Sequence, residues 1–257
     1  MKSQGIDTYA HLDSPLHRWE NRYKIAGLFI LAFAFAYVKD MRLLPFMLLI
    51  TAGLYAASKL PLPFLFTRLK IPGFILLGIV ISLPFLAGTT EIFSIGPVSI
   101  QLEGVLSAVL IAVRFVCIIT LSLLIFATDS IINTIKGLTG LKLPPIMADM
   151  LLLTYRYLFE MGHSLRTTQT AVRLRGFQND RLSRGKLETL AALLGNLIVR
   201  SYEQSERVYH AMILRGYGAT VVTPDMFHAT GRDRLFFAIV LLIAIAFVAA
   251  QLLLGGL

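Results

Sequence analysis

Apolar residues in this chain come in long unbroken runs, with neither the strict alternation of a half-buried strand nor the one-sided stripe of a soluble helix. Five runs predict membrane-spanning helices, at 25–38, 43–57, 73–87, 103–127 and 235–254. A helix needs about 20 mostly apolar residues to cross the hydrocarbon of a bilayer. The first run reaches that length only with Tyr23, Lys24 and Lys39 in the interfaces, flanked by Trp19 and Tyr37. Pro84 breaks the third run, Arg114 lies inside the fourth, and the fifth carries no charge.

Between 128 and 234 the pattern changes. Pro144-Pro145 divides this segment. Before it, 130–141 predicts a short amphipathic helix with Asp129 or Ser130 as N-cap. After it, 146–175 predicts a long helix, with Leu158, Met161, Leu165 and Val172 recurring near the helical period. A polar link at 178–184 leads to a second long helix over 186–215, where Leu194, Ile198, Tyr202, Val208, Tyr209 and Met212 fall near one face. The stretch 143–160 is apolar enough to be a sixth candidate for membrane insertion.

The two long helices end alike. One reads Ala171-Val172-Arg173-Leu174-Arg175-Gly176-Phe177, the other Ala211-Met212-Ile213-Leu214-Arg215-Gly216-Tyr217. Glycine just past a last turn adopts the left-handed conformation that caps a helix. An arginine there lies near the negative end of the helix dipole, and its planar fork suits a carboxylate. One such ending is an ordinary helix stop. Two in one segment suggest two equivalent sockets on a symmetric partner, whereas a basic surface held against anionic lipid needs no matched tips.

Composition turns the runs into a membrane protein. The chain is 56% hydrophobic and 15% charged, with a mean hydropathy of +0.72 over 257 residues. That excludes a disordered chain, a collagen-like chain and a disulfide scaffold, and one cysteine, Cys117, allows no intrachain bridge. The net charge of +9 is compatible with nucleic acid, but the charges lie between apolar runs, which points to the bilayer instead. With the N-terminus in the cytoplasm, 21 of the 24 lysines and arginines fall inside, including Lys59, Arg68 and Lys70 in a loop. Only Lys39 and Arg42 fall outside, so the C-terminus is expected outside too. The first residues have no apolar core and no cleavage site of a signal peptide. The expectation is thus an all-α integral membrane protein in three parts: membrane helices in 1–127, a cytoplasmic region at 128–234 and a last membrane helix in 235–257.

Candidate chemistry is sparse. The P-loop pattern is absent, since Gly185-Lys186 runs into leucine without the upstream glycine. His11, His17, His163, His210 and His228 form no metal-ligand pair, and His11 with Asp13 is too little for a site, so no metal and no cofactor is expected here. A lipid-modifying membrane enzyme would need clustered carboxylates for a metal-bound diphosphate. Asp129, Asp149, Glu160, Asp180 and Glu188 are scattered, and Glu203 and Glu206 read as a solvated face beside Arg207. Arg114 is read first as a structural charge pairing with a neighbouring helix or backbone, and second as part of a substrate path.

With these motifs in order, the chain resembles the transmembrane (T) component of energy-coupling factor transporters, the CbiQ/EcfT family. The paired Arg-Gly endings carry the resemblance. The family's typical motif is Ala-Arg-Gly, and Leu174 and Leu214 depart from it. Two further stretches resemble the cobalt and nickel branch: Ile6-Asp7-Thr8-Tyr9-Ala10 followed by Ser14-Pro15-Leu16-His17-Arg18, and Leu151-Leu152-Leu153-Thr154-Tyr155-Arg156-Tyr157. The resemblance implies a non-catalytic subunit of the cytoplasmic membrane of a bacterium or archaeon. Its partners would be a dimer of ABC-type ATPases and a separate CbiM-like substrate-binding membrane subunit, with no nucleic acid. Arg175, Gly176, Arg215 and Gly216 match the family's coupling residues. Cobalt or nickel would be the cargo, held by the partner. A vitamin transporter's T component is the alternative within the family.

Overall fold

The computed structural model describes residues 14–86, 91–95, 98–176, 184–218 and 230–255. It is a helical structure, with α1 Asn21–Tyr37, α2 Leu44–Ser58, α3 Leu62–Leu86, α4 Leu102–Ala127, α5 Ile131–Gly140, α6 Pro145–Leu174, α7 Arg184–Leu214 and α8 Gly231–Gly255. The chain divides into two compact units, 1–142 with 227–257 and 143–226.

The first unit is organised around α1, which packs on α4, α5 and α8, while α4 also packs on α2 and α3. Leu28, Leu31 and Phe35 of α1 are buried with Met47 of α2, with Cys117, Leu121 and Leu124 of α4, and with Val240, Ala244 and Phe247 of α8. The Phe35 and Phe247 rings meet edge to face, 5.1 Å apart, a favoured aromatic geometry. α5 approaches α1 closely at Gly137, where a Cβ would stand 3.1 Å from both Asn21 Cβ and Ile25 Cδ1.

Polar groups tie both ends of α1. Beyond its C-terminus, Gln251 Oε1 accepts from the Lys39 and Asp40 amides at 2.7 and 3.1 Å, and Gln251 Nε2 donates to Asp40 Oδ2 at 3.2 Å. Arg114 of α4 donates to the Val38 carbonyl there. Before its N-terminus, Trp19 Nε1 donates to the Asp233 carbonyl at 3.2 Å. Lys24, with no exposed surface, donates to the Leu16 carbonyl at 3.3 Å and to Thr128 Oγ1 at 3.1 Å, and it pairs with Asp129. An ammonium has three protons to donate, so this buried lysine is fully satisfied. Burial pushes the Asp129 carboxyl up, against the opposing pull of Lys24.

Four helical segments among the described residues are long and apolar enough to cross a membrane: Met41–Ser58, Leu62–Pro84, Glu103–Ala127 and Gly231–Leu254. Their cores coincide with four of the five expected runs. α1, at 17 residues, is shorter, and α6, which holds 145–160, is not among the four.

The third run is corrected. Its helix begins at Leu62, eleven residues before the expected start, and contains Pro72 and Pro84 without ending at either. Membrane helices tolerate proline because neighbouring side chains and local adjustment satisfy the freed backbone. Arg68 and Lys70, read as loop residues, therefore lie inside a candidate span. α4 packs along that span, and most of its other side chains, Arg68 and Lys70 included, are exposed. Long cationic side chains on a lipid-facing helix reach back to the interface along their aliphatic stems. The antiparallel hairpin of β1 Glu91–Ile95 and β2 Val98–Gln101, between α3 and α4, was also not anticipated.

Candidate functional site: paired arginine-glycine helix tips

α6 and α7 are the second unit, and their starts and stops follow from local sequence. Lys142 is left-handed at φ 69°, and Pro145 occupies the first turn of α6, where a missing amide costs nothing. At 30 and 31 residues, the two helices are each about 45 Å long at 1.5 Å per residue.

Two contacts fix their relative direction. Arg200 Nη1 of α7 donates to Ser164 Oγ of α6 at 3.3 Å. Tyr217, just past α7, donates its hydroxyl to Asp149 Oδ2 in the first turns of α6 at 2.9 Å. Rising numbers on α7 thus meet falling numbers on α6, and the pair is antiparallel. Between these contacts lies a mostly apolar cavity of about 500 Å³, lined by Met150, Tyr157, Met161, Val208, Tyr209 and Met212 among others.

The antiparallel arrangement puts the two Arg-Gly endings at opposite ends of the pair. Arg175 lies eleven residues beyond Ser164, and Arg215 fifteen beyond Arg200 in the reverse direction. At 1.5 Å per residue the tips stand roughly 35–40 Å apart.

Each tip is built the same way. Gly176 and Gly216 have φ of +89° and +81°, the left-handed region that glycine enters without strain. The Gly176 amide donates to the Arg173 carbonyl at 3.0 Å, and the Gly216 amide to Ile213 at 2.9 Å. The Tyr217 amide completes the second cap by donating to Met212 at 3.0 Å, the bond that defines a Schellman motif. Phe177, its counterpart, lies outside the described residues. Arg175 and Arg215 are both exposed, and neither guanidinium has a side-chain partner among the described residues. The leucine before each arginine is bare as well, Leu174 at 84% and Leu214 at 88% exposure. Among the described residues, each tip therefore offers an unpaired planar cation beside an apolar side chain on a fixed backbone.

The remaining sequence candidates are placed plainly. Ser130, not Asp129, caps α5, its Oγ accepting from the Asn133 amide at 3.3 Å. Asp129 instead pairs with Lys24, a partnership the sequence reading missed. Its signal was a lysine bordering an apolar run and an aspartate just past another. Glu203 meets Arg207 at 3.7 Å on an exposed face, and Glu206 accepts from the Tyr202 hydroxyl at 3.0 Å. Tyr217 reaches Asp149 of the other helix. That carboxylate, accepting the phenol's proton, holds Tyr217 above its ordinary pKa. Among the described residues no group of three or more His, Cys, Asp or Glu is placed to hold a metal ion. His11, Asp13, Asp180, His228 and the stretch 6–10 lie outside the described residues.

The family model described as Cobalt transport protein, CbiQ, matches residues 13–226, which take in both tips and most of the membrane unit. This chain belongs to the CbiQ family. Among curated relatives, the energy-coupling factor transporter transmembrane protein EcfT of Bacillus selenitireducens is 28% identical over 98% of each chain. The protein of the same name from Brevibacillus brevis is 30% identical over 84% of this chain and 86% of its own. That from Macrococcus caseolyticus is 26% identical over 82% and 84%. The CbiQ-family chain is thus similar over nearly its whole length to membrane components of transporters, and it is a membrane protein of that class.

Proposed function

We propose that this chain is the coupling subunit of an energy-coupling factor transporter for cobalt or nickel. In this reading Arg175 and Arg215 seat the two ends of the α6–α7 pair on an ABC-type ATPase dimer. The observation that carries it is the repeated tip: two exposed arginines, each followed by a left-handed glycine, at opposite ends of one antiparallel helix pair. A separation of roughly 35–40 Å, from the rise of an α-helix, suits two sockets on two similar subunits better than one shared site. Motion of the sockets then moves both ends of a stiff pair at once, and the pair passes it to a substrate-binding membrane partner. The rest of the chain holds that pair at the inner membrane, 128–234 facing the cytoplasm and the C-terminus outside.

The ionic cargo rests on the matching family's description as cobalt transport and on the 6–18 and 151–157 stretches. The relatives' names carry no cargo, so a vitamin transporter's T component is the second reading. Uptake of Co²⁺, Ni²⁺ and vitamins by cells carrying the chain with its genomic neighbours separates the two.

The test of coupling is co-purification and uptake for Arg175→Ala, Arg215→Ala, the double variant and the lysine swaps. Removing one charge from a desolvated, hydrogen-bonded pair costs roughly 2–5 kcal/mol. That is on the order of 30- to 3,000-fold in affinity for the contact. Either single variant weakens assembly and uptake, because the surviving tip still holds its partner by effective concentration. The double variant releases the ATPases from a folded membrane chain. Lysine rescues poorly, since an ammonium lacks the fork. A double variant that keeps its ATPases and transports normally refutes the proposal.

A further inference from the structure

The two Arg-Gly endings differ by one hydroxyl at their aromatic residue. Tyr217 carries it, and Phe177, its counterpart by sequence, does not. That hydroxyl donates to Asp149 Oδ2 at 2.9 Å, from the third residue past α7 to the fifth residue of α6. A phenylalanine has no proton to donate, so this bond is open to the Arg215 ending and closed to the Arg175 ending.

Tyr217 is held from two sides. Its amide donates to the Met212 carbonyl of its own helix at 3.0 Å, and its hydroxyl reaches the other helix. Arg215 and Gly216 lie on the backbone between Met212 and Tyr217. Leu214, Arg215 and Gly216 are all exposed. A helix end with few buried contacts opens locally at little cost, and a frayed last turn swings its terminal arginine away. The phenol bond fastens that turn to a second helix of 30 residues. Asp149 stands in the first turns of α6, where the helix dipole favours a negative side chain, and a carboxylate is the stronger kind of acceptor. The tyrosine ring also lines the apolar cavity between the helices, with Met150, Tyr157 and Met212.

We propose that Tyr217, acting through Asp149, is a positioning residue for Arg215: it fixes the backbone that presents this guanidinium to its socket. The inference rests on the coupling role proposed above and adds that the two ends of the pair are not equivalent. A braced arginine binds without first being ordered, which leaves more of the contact as affinity.

The test is a double-mutant cycle. The full chain in nanodiscs is titrated with the ATPases that co-purify with it. Tyr217→Phe, Asp149→Ala and their combination are measured in the native chain, in Arg175→Ala and in Arg215→Ala. Tyr217→Phe keeps the ring and removes only the hydroxyl. Losing one net hydrogen bond is expected to weaken binding roughly 2- to 10-fold. Each single change gives that loss, the combination gives no more, and Asp149→Asn, which keeps an acceptor oxygen, gives less. The loss persists in Arg175→Ala and vanishes in Arg215→Ala, where no guanidinium is left to position. A merely structural role for the bond lowers thermal unfolding and weakens both arginine backgrounds alike. Equal losses in the two backgrounds therefore overturn the proposal. Full affinity in Tyr217→Phe, with Arg215→Ala weakened, overturns this inference alone. Full affinity in Arg215→Ala, or no ATPase recovered with the native chain, overturns the coupling reading and this inference with it.

Discussion

Replacing Lys24 by methionine removes all three partners of a side chain with no exposed surface. The Leu16 carbonyl loses its donor, Thr128 Oγ1 loses one of its contacts, and the Asp129 carboxylate, only 11% exposed, loses its counter-ion. Thr128 remains served, because its own hydroxyl donates to the Leu124 carbonyl at 2.7 Å. The stranded carboxylate dominates the cost. Breaking a buried ion pair from one side costs roughly 3–5 kcal/mol, whereas replacing both partners by apolar residues of similar volume is often neutral or stabilising. Lys24→Met is therefore expected to lose roughly 3–5 kcal/mol, Asp129→Leu a similar amount, and the double variant far less than their sum. The assay is reversible unfolding in detergent micelles, followed by helical circular dichroism, for the native chain, both singles and the double. If Lys24→Met does not fold, recovery of folding in the double variant carries the same information. A loss below about 1 kcal/mol in Lys24→Met, the range of an exposed pair, refutes the reasoning.

Gly176→Ala and Gly216→Ala each meet open space, so only the left-handed backbone resists them. A cost of about 1 kcal/mol per site is expected in thermal unfolding, with Asn costing less than Ala. A neutral effect of both alanines would show that the glycines are not needed as caps. The Tyr217–Asp149 contact predicts a pH dependence. Because the folded phenol is held above its ordinary value, the contact's contribution is fully present below about pH 10 and is lost as pH rises through the folded pKa. Ultraviolet titration of the native chain minus Tyr217→Phe should show this phenol ionising late, and Asp149→Asn should bring it back towards the ordinary value. An unchanged titration in Asp149→Asn contradicts the contact.

The helical architecture was legible because lipid imposes a simple rule: a spanning segment satisfies its own backbone and stays apolar throughout. The two long helices of the second unit were legible to within two residues at either end, because Pro145 and the Arg-Gly endings are strong local stops. The start of α3 was not, because Pro72 and two cations mimic a loop, and only the helix itself, continuous from Leu62 and packed along α4, shows that it runs through them. The hairpin after α3 was missed because its strands, five and four residues long, are too short to stand out between two long apolar runs. The residue types at the tips were visible in sequence, but their placement at opposite ends was not. That follows from Ser164–Arg200 and Asp149–Tyr217, side-chain contacts between positions 36 and 68 residues apart. Lys24 and Asp129 were hidden for the same reason.

The seating of α1 also sets a timetable for biosynthesis. Its C-terminal turn is closed by Gln251 through amides 212 and 211 residues earlier in the chain, and its N-terminal end is held by Asp233. A ribosome adding 5–20 residues per second needs about 10–40 s to make that interval. For that time α1 lacks its packing partner α8. A short helix with polar groups at both ends is suited to the wait, since it can rest near the headgroups while α4 is inserted. Completion of the membrane unit is thus tied to the arrival of α8. A chain cut short before Gly231 carries the tips and both long helices but lacks the last wall of α1, and membrane quality control meets it as an orphan.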